Sequence, residues 1–246
     1  MRLGSRELEV GSCHRRYPNG MKSAGRAITV AVAIILWLGT PAAQRPGVHP
    51  VSGRVFALPM GVAGALWLDR RERLDEEEPD LAMRLIKVER GSTVADLGAG
   101  SGYFTVRLAK AVGTAGKVYA VDIQQGMLDL LQGAVTKERL TNVIPVLGAV
   151  DDPRLPAASL DLVLMVDVYH ELSSPQTTLA HLKNALKPGG RLVLLEYRAE
   201  DPAVPILPEH KMTKAMVKLE VEHEGFRQQR VYDDLPRQHL IVFTRP

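Results

Sequence analysis

Cysteine is nearly absent, Cys13 being the one thiol in 246 residues. From Gln44 onward the chain has no disulfide, thiolate metal ligand or cysteine nucleophile to offer. Aromatic residues are scarce too, at 5%, too few for the stacking platforms on which single-stranded nucleic acids bind. No apolar run reaches the roughly 20 residues that cross a bilayer comfortably. A charge excess is also missing. Lys and Arg number 31 against 28 Asp and Glu, a net of +3, and because residues 1–43 hold +4 the rest of the chain carries −1. The small basic balance belongs to the N-terminal end, so charge gives no reason to expect a nucleic-acid partner. What remains, 46% hydrophobic and 24% charged residues, is the profile of a soluble globular chain of one or two domains.

A charge-free, mainly apolar stretch of 14 residues lies between Arg26 and Pro41, behind a basic segment and ahead of Pro41-Ala42-Ala43. This is the layout of a secretory signal. Residues 1–43 are therefore expected to be a leader, either a cleaved signal peptide or a membrane anchor, which predicts a periplasmic or membrane-tethered protein and, if the leader does not function, a cytoplasmic one. Contact with a membrane is expected only through an uncleaved leader. Met21-Lys22 would open a more compact signal, which makes Met21 an alternative start. Arg15-Arg16 invites a twin-arginine reading, but the residues after the pair lack that pattern. The Pro- and Gly-rich residues 44–66 read as a tether, leaving 67–246 as the folded domain.

An acidic run ending in Pro79-Asp80 suits the start of a helix through Val88, because carboxylates favour the positive end of the helix dipole. Beyond Gly91, apolar runs at Thr93–Leu97, Lys117–Asp122, 143–146, Leu160–Val166 and 191–196 predict strands, all too continuous for half-exposed ones. Helices are expected at Tyr103–Val112, 126–140 and 176–186, the last stopped by Pro188-Gly189-Gly190. Strands and helices alternating at this spacing mean βαβ units and a parallel sheet covered on both faces. After Tyr197 the pattern changes to a Pro-rich stretch, a helix at 212–224 and strands at 226–231 and 239–244. A connection that short makes the last pair antiparallel.

The sharpest chemical signal is Val94-Ala-Asp96-Leu-Gly98-Ala99-Gly100-Ser101-Gly102-Tyr103, where the first strand meets a helix. Glycines there allow a tight turn and a close ligand approach, and the helix N-terminus supplies N–H donors. The spacing is GxGxG, with Tyr103 where a dinucleotide fingerprint would place its third glycine and with an acid two residues ahead of the first. A second acid, Asp122, ends the next strand, where it can accept hydrogen bonds from vicinal ribose hydroxyls.

With its VADLGAGSG loop, VYAVDI strand, Asp151-Asp152 pair, SLDLVLMVDVYHEL strand and PGGRLVLLEY segment in that order, the chain resembles the class I S-adenosylmethionine-dependent methyltransferases. The resemblance runs from about Leu74 to the C-terminus and implies a doubly wound, mostly parallel seven-stranded α/β sheet ending in antiparallel strands. It implies S-adenosylmethionine as cofactor. Asp96 and the Gly98-Ala99-Gly100-Ser101-Gly102 turn would hold the methionine part, Asp122 the ribose, and Ile123 and Met127 the adenine. Either Asp151 or Asp152 would accept from the adenine amino group, and Asp167 would face the sulfonium.

Past the fourth strand, Tyr169-His170-Glu171 are placed to touch the methyl acceptor, with His170 as a base and Glu171 orienting it or binding a polar substrate. Both also have plain structural readings, as a packed histidine and a turn cap. Tyr197 and Arg198 border the same cleft, Arg198 either binding an anionic substrate or making a surface ion pair. His210 follows a Pro-rich insertion that could form a lid, and no metal is expected. The sequence thus predicts a methyltransferase acting on a small-molecule acceptor. The alternative is an exported ligand-binding module that keeps the fold without methyl transfer, and a nicotinamide oxidoreductase fits less well.

Overall fold

The computed structural model describes residues 47–246. The leader, with its signal, anchor and start-site expectations, lies outside the described residues. Among the described residues no helix is long and apolar enough to cross a membrane. The helices are α1 (Ala65–Leu68), α2 (Arg73–Glu77), α3 (Pro79–Ile86), α4 (Tyr103–Val112), α5 (Gln125–Lys137), α6 (Pro175–Ala185) and α7 (Lys214–His223). The strands are β1 (Thr93–Leu97), β2 (Lys117–Asp122), β3 (Val143–Leu147), β4 (Leu160–Val166), β5 (Leu186–Tyr197), β6 (Arg227–Tyr232) and β7 (Gln238–Thr244).

All seven strands join one sheet in the order β3-β2-β1-β4-β5-β7-β6. The first five run parallel, and β7 pairs antiparallel with both β5 and β6. This is the expected Rossmann-like methyltransferase architecture. Alternation along β4 shows why its sequence is apolar throughout. Val163 and Met165 enter one core with α6 and α7, while Leu162 and Leu164 enter the other with α3 and α4, since successive side chains point to opposite faces. Strand order reverses between β1 and β4, which opens a crevice beyond their carboxyl ends.

Two expectations need correction. β3 is not a buried strand: it lies at the sheet edge, carries Pro145, and leaves Ile144 and Leu147 exposed, a position proline tolerates because no ladder bond is needed on the outer side. Nor do residues 47–66 hang as a tether. Val48 and Val55 form an antiparallel bridge, and His49, Phe56 and Ala57 are buried. Arg54 fastens this segment to the domain: its Nε donates to Glu220 Oε1 at 3.0 Å, Nη2 to Oε2 at 3.1 Å, and Nη1 to the His170 carbonyl at 2.8 Å. Composition sees prolines and glycines; it does not see that one buried guanidinium satisfies a buried carboxylate on α7.

Candidate functional site

A cavity of about 820 Å³ occupies the crevice. Its floor is the turn after β1. Gly98 and Ala99 both donate their N–H groups to the Val121 carbonyl, at 2.8 and 2.9 Å, which draws the turn against β2. Gly98 has φ +73°, and a Cβ built there would lie 2.4 Å from Val168 Cγ2. Only glycine satisfies both conditions.

Asp122 closes this floor. One carboxylate oxygen accepts from Gly100 N and the other from Gln124 N, each at 2.9 Å. Burial raises its pKa, against the backbone N–H groups that favour the charged form. Beneath the turn, Asp96 is 2% exposed and accepts from Thr105 Oγ1 at 2.6 Å. Burial, with the nearby Asp122 charge, pushes its carboxyl up to about 6. Ile123, Gln124 and Met127 line the wall beside Asp122.

At the end of β4, Asp167 sits at φ +53°. Its Oδ2 accepts from Gln238 Nε2 at 2.7 Å, while Oδ1 is buried with no hydrogen-bond partner among the described residues. Burial, then the Glu77 and Glu196 charges, raise its carboxyl well above the usual range. Below it lies a pair with no counterpart in the sequence reading. Arg73 Nε donates to Glu77 Oε2 at 2.6 Å, and Glu77 Oε1 accepts from the Tyr197 hydroxyl at 2.8 Å.

The opposite end of the cavity holds His170, Glu171 and His210. His170 is 1% exposed. Its Nδ1 meets Glu196 Oε2 at 2.6 Å, and its Nε2 lies 3.0 Å from His210 Nδ1. Glu171 Oε1 lies 3.9 Å from His170 Nε2 and 3.8 Å from His210 Nδ1. Burial lowers the His170 pKa, but the Glu196 charge and hydrogen bond outweigh it and leave the ring raised. Burial pushes Glu171 up to about 7, although His170 works against it. His210 is lowered by burial and by His170. His210, in the short helical turn Pro208–His210, and the residues before that turn, Pro205, Ile206 and Leu207, line the cavity.

Several expected site residues lie elsewhere. Neither Asp151 nor Asp152 lines the cavity, whose wall there is Ala149, Val150 and Pro153; Asp152 Oδ1 instead accepts from Arg154 N at 2.8 Å and shapes its own turn. Ser101 is buried and donates to Asp69 Oδ1 at 2.8 Å. Asp96, Ala99, Ser101 and Gly102 support the floor from behind without lining the cavity. Arg198 does not line the cavity and makes no ion pair among the described residues; its Nη2 donates to the Asp233 and Leu235 carbonyls. Glu196 and Glu77 were missed. Glu196 carried a usable signal, a charge at the end of an otherwise apolar strand, the same signal that marks Asp122.

Residues 94–190 match a protein family described as a methyltransferase domain. A demethylmenaquinone methyltransferase of Geobacillus sp. is 30% identical over 114 residues, 46% of this chain and 49% of that protein. A ubiquinone/menaquinone biosynthesis C-methyltransferase of Escherichia fergusonii is 33% identical over 117 residues, 45% and 44% of the two chains. A solved S-adenosylmethionine-dependent methyltransferase from Aquifex aeolicus superimposes with TM-score 0.73 at 29% identity, over 76% of this chain and all of that one. These matches support membership of the class I S-adenosylmethionine-dependent methyltransferase superfamily. The chain spans about half the length of the curated methyltransferases it matches.

S-adenosylmethionine is named for the matched Aquifex aeolicus structure, and the residues present here fit that cofactor. The Gly98 turn keeps clear the space that side chains would fill. Asp122 lines the cavity with its carboxylate plane fixed by two backbone donors, and the unpartnered Asp167 oxygen lies at the end of β4.

Proposed function

We propose that this protein transfers a methyl group from S-adenosylmethionine to a small-molecule acceptor bound against His170. The observation that carries the reading is that one cavity joins the Gly98–Asp122 floor to the His170, Glu171 and His210 cluster. The cofactor supplies a methyl group on a positively charged sulfur, which leaves with its bonding electron pair on sulfur. Methyl transfer needs in-line alignment above all. In this reading Asp122 takes the ribose hydroxyls, Ile123 and Met127 flank the adenine, Gly98 and Gly100 hold the methionine end with Asp96 and the rest of the turn supporting them from behind, and Asp167 faces the sulfonium. With no acidic side chain on the wall of Ala149, Val150 and Pro153, no carboxylate is assigned to the adenine amino group.

His170 is assigned as the base. Glu196 holds its Nδ1, which leaves Nε2 on the side of His210 and the cavity, where an acceptor would displace His210 to reach it, and the same carboxylate stabilises the imidazolium formed when a proton is taken. Phe56, Leu58, Met60, Trp67, Ile206 and Leu207 form apolar walls, which suit a flat or aliphatic acceptor over a highly charged one. Quinone precursors, the substrates named for two relatives, are the first acceptors to assay. The test incubates the chain with methyl-labelled S-adenosylmethionine and an acceptor panel. Label should enter an acceptor with stoichiometric release of S-adenosylhomocysteine, and His170→Gln should lower kcat by about a hundredfold at unchanged cofactor affinity. A folded chain that binds no cofactor overturns the reading.

A further inference from the structure

We propose that His170 Nε2, a Glu171 carboxylate oxygen and His210 Nδ1 form a binding site for a divalent first-row transition-metal ion at the acceptor end of the cavity. Among the described residues they are the one trio of His, Cys, Asp or Glu side chains whose ligand atoms converge within 4.8 Å. Their separations of 3.0, 3.8 and 3.9 Å define a point about 2.1 Å from all three, inside the roughly 2.0–2.2 Å range of zinc–imidazole and zinc–carboxylate bonds. Two imidazoles and a carboxylate are a borderline donor set, suited to zinc or ferrous iron rather than to calcium or magnesium.

The surroundings are those of a metal ligand set. Glu196 binds His170 Nδ1 at 2.6 Å, which fixes the ring and directs the Nε2 lone pair at His210, the carboxylate–histidine arrangement that orients metal-bound imidazoles. Glu196 is itself held, its Oε1 accepting from Tyr169 N at 2.9 Å. Arg54 anchors the backbone at the same point by donating to the His170 carbonyl at 2.8 Å. Glu171 and Glu196 set two carboxyl groups against the rings, and an added cation favours their ionised forms. Since all three donors line the cavity, the ion keeps an open side toward the acceptor, for an oxygen or nitrogen donor. The proposal rests on the functional reading only for that last step. There the ion takes over from the His170 lone pair the task of holding and acidifying the acceptor.

The experiment titrates Co2+ into the full chain after chelator treatment and follows its visible d–d absorption, with S-adenosylmethionine binding measured on the same samples. A single Co2+ site per chain, displaced by Zn2+, is expected. His210→Ala and Glu171→Gln should each weaken it by at least the roughly tenfold that even second-shell changes cost, while His223→Ala leaves it unchanged and every variant still binds the cofactor. A chain that binds the cofactor but shows no Co2+ spectrum overturns the metal site alone. So does a spectrum that survives His210→Ala, which would place the ion elsewhere. Co2+ binding lost on His210→Ala, in a chain that does not bind the cofactor, upholds the metal site and overturns the functional reading instead.

Discussion

At the cofactor end of the cavity one contiguous stretch, Asp96 to Gly102, with Asp122 beside it, supplies the turn, the supporting acid and the backbone donors. At the other end the groups arrive from four places: Arg54 before the first helix, His170 and Glu171 after β4, Glu196 at the end of β5, and His210 in the stretch before α7. The first end is local chemistry, which glycine spacing can specify. The second is assembled by tertiary packing, and each group there depends on elements far away in the chain.

The contrast predicts where damage spreads. The largest effect belongs to the turn. A side chain at Gly98 meets strain at positive φ and overlap with Val168, each worth about 1–3 kcal/mol. Gly98→Val should therefore lose about 4 kcal/mol in urea unfolding and bind no S-adenosylmethionine by calorimetry. Wild-type stability would mean that the turn is looser than described.

Next comes Arg54, with a side chain 6% exposed against a Glu220 that is fully buried. Arg54→Met removes the guanidinium from that carboxylate and leaves it the Ser52 hydroxyl and the His49 ring, 3.3 Å away, which should cost about 3 kcal/mol, readable as a shift in denaturation midpoint. If residues 47–66 were a tether, the change would be within about 0.5 kcal/mol.

Asp96 gives a pH-dependent effect. Its folded pKa of about 6 lies above the ordinary 3.8, so the folded state holds the extra proton and stability falls as pH rises through that window. Wild type should lose about 2 kcal/mol relative to Asp96→Asn between about pH 4 and pH 7. Parallel stability curves would show that burial does not perturb this acid. The smallest effect is at Asp152, which bonds Arg154 N and lies off the cavity wall. Asp152→Ala should change cofactor affinity by less than about twofold, or 0.4 kcal/mol, in the same titration.

The same contrast explains what could be read from sequence. β1, β2 and β4 were legible to the residue because both faces are buried and their apolar runs end abruptly at Gly98, Asp122 and Asp167. Asp122 and the glycine turn were legible because their function is local. Asp151 and Asp152 misled because an acid after β3 fits the resemblance, yet only the backbone decides whether it turns inward. Arg54 and Glu196 could not be paired from sequence, since Glu220 and His170 lie 166 and 26 residues away, whereas Arg73 and Glu77 stand four residues apart on one helix, a spacing that sequence does encode. His170 and His210 were each noticed, but 40 residues separate them and only the fold brings their rings together.

The most direct test of the central claim is calorimetric titration of the full chain with S-adenosylmethionine and S-adenosylhomocysteine, beside Asp122→Ala. Binding near micromolar, about 8 kcal/mol, weakened by about 1 kcal/mol or more in the variant, is the predicted result. A folded chain that binds neither ligand, or an Asp122→Ala variant that binds as tightly as the wild type, would contradict it.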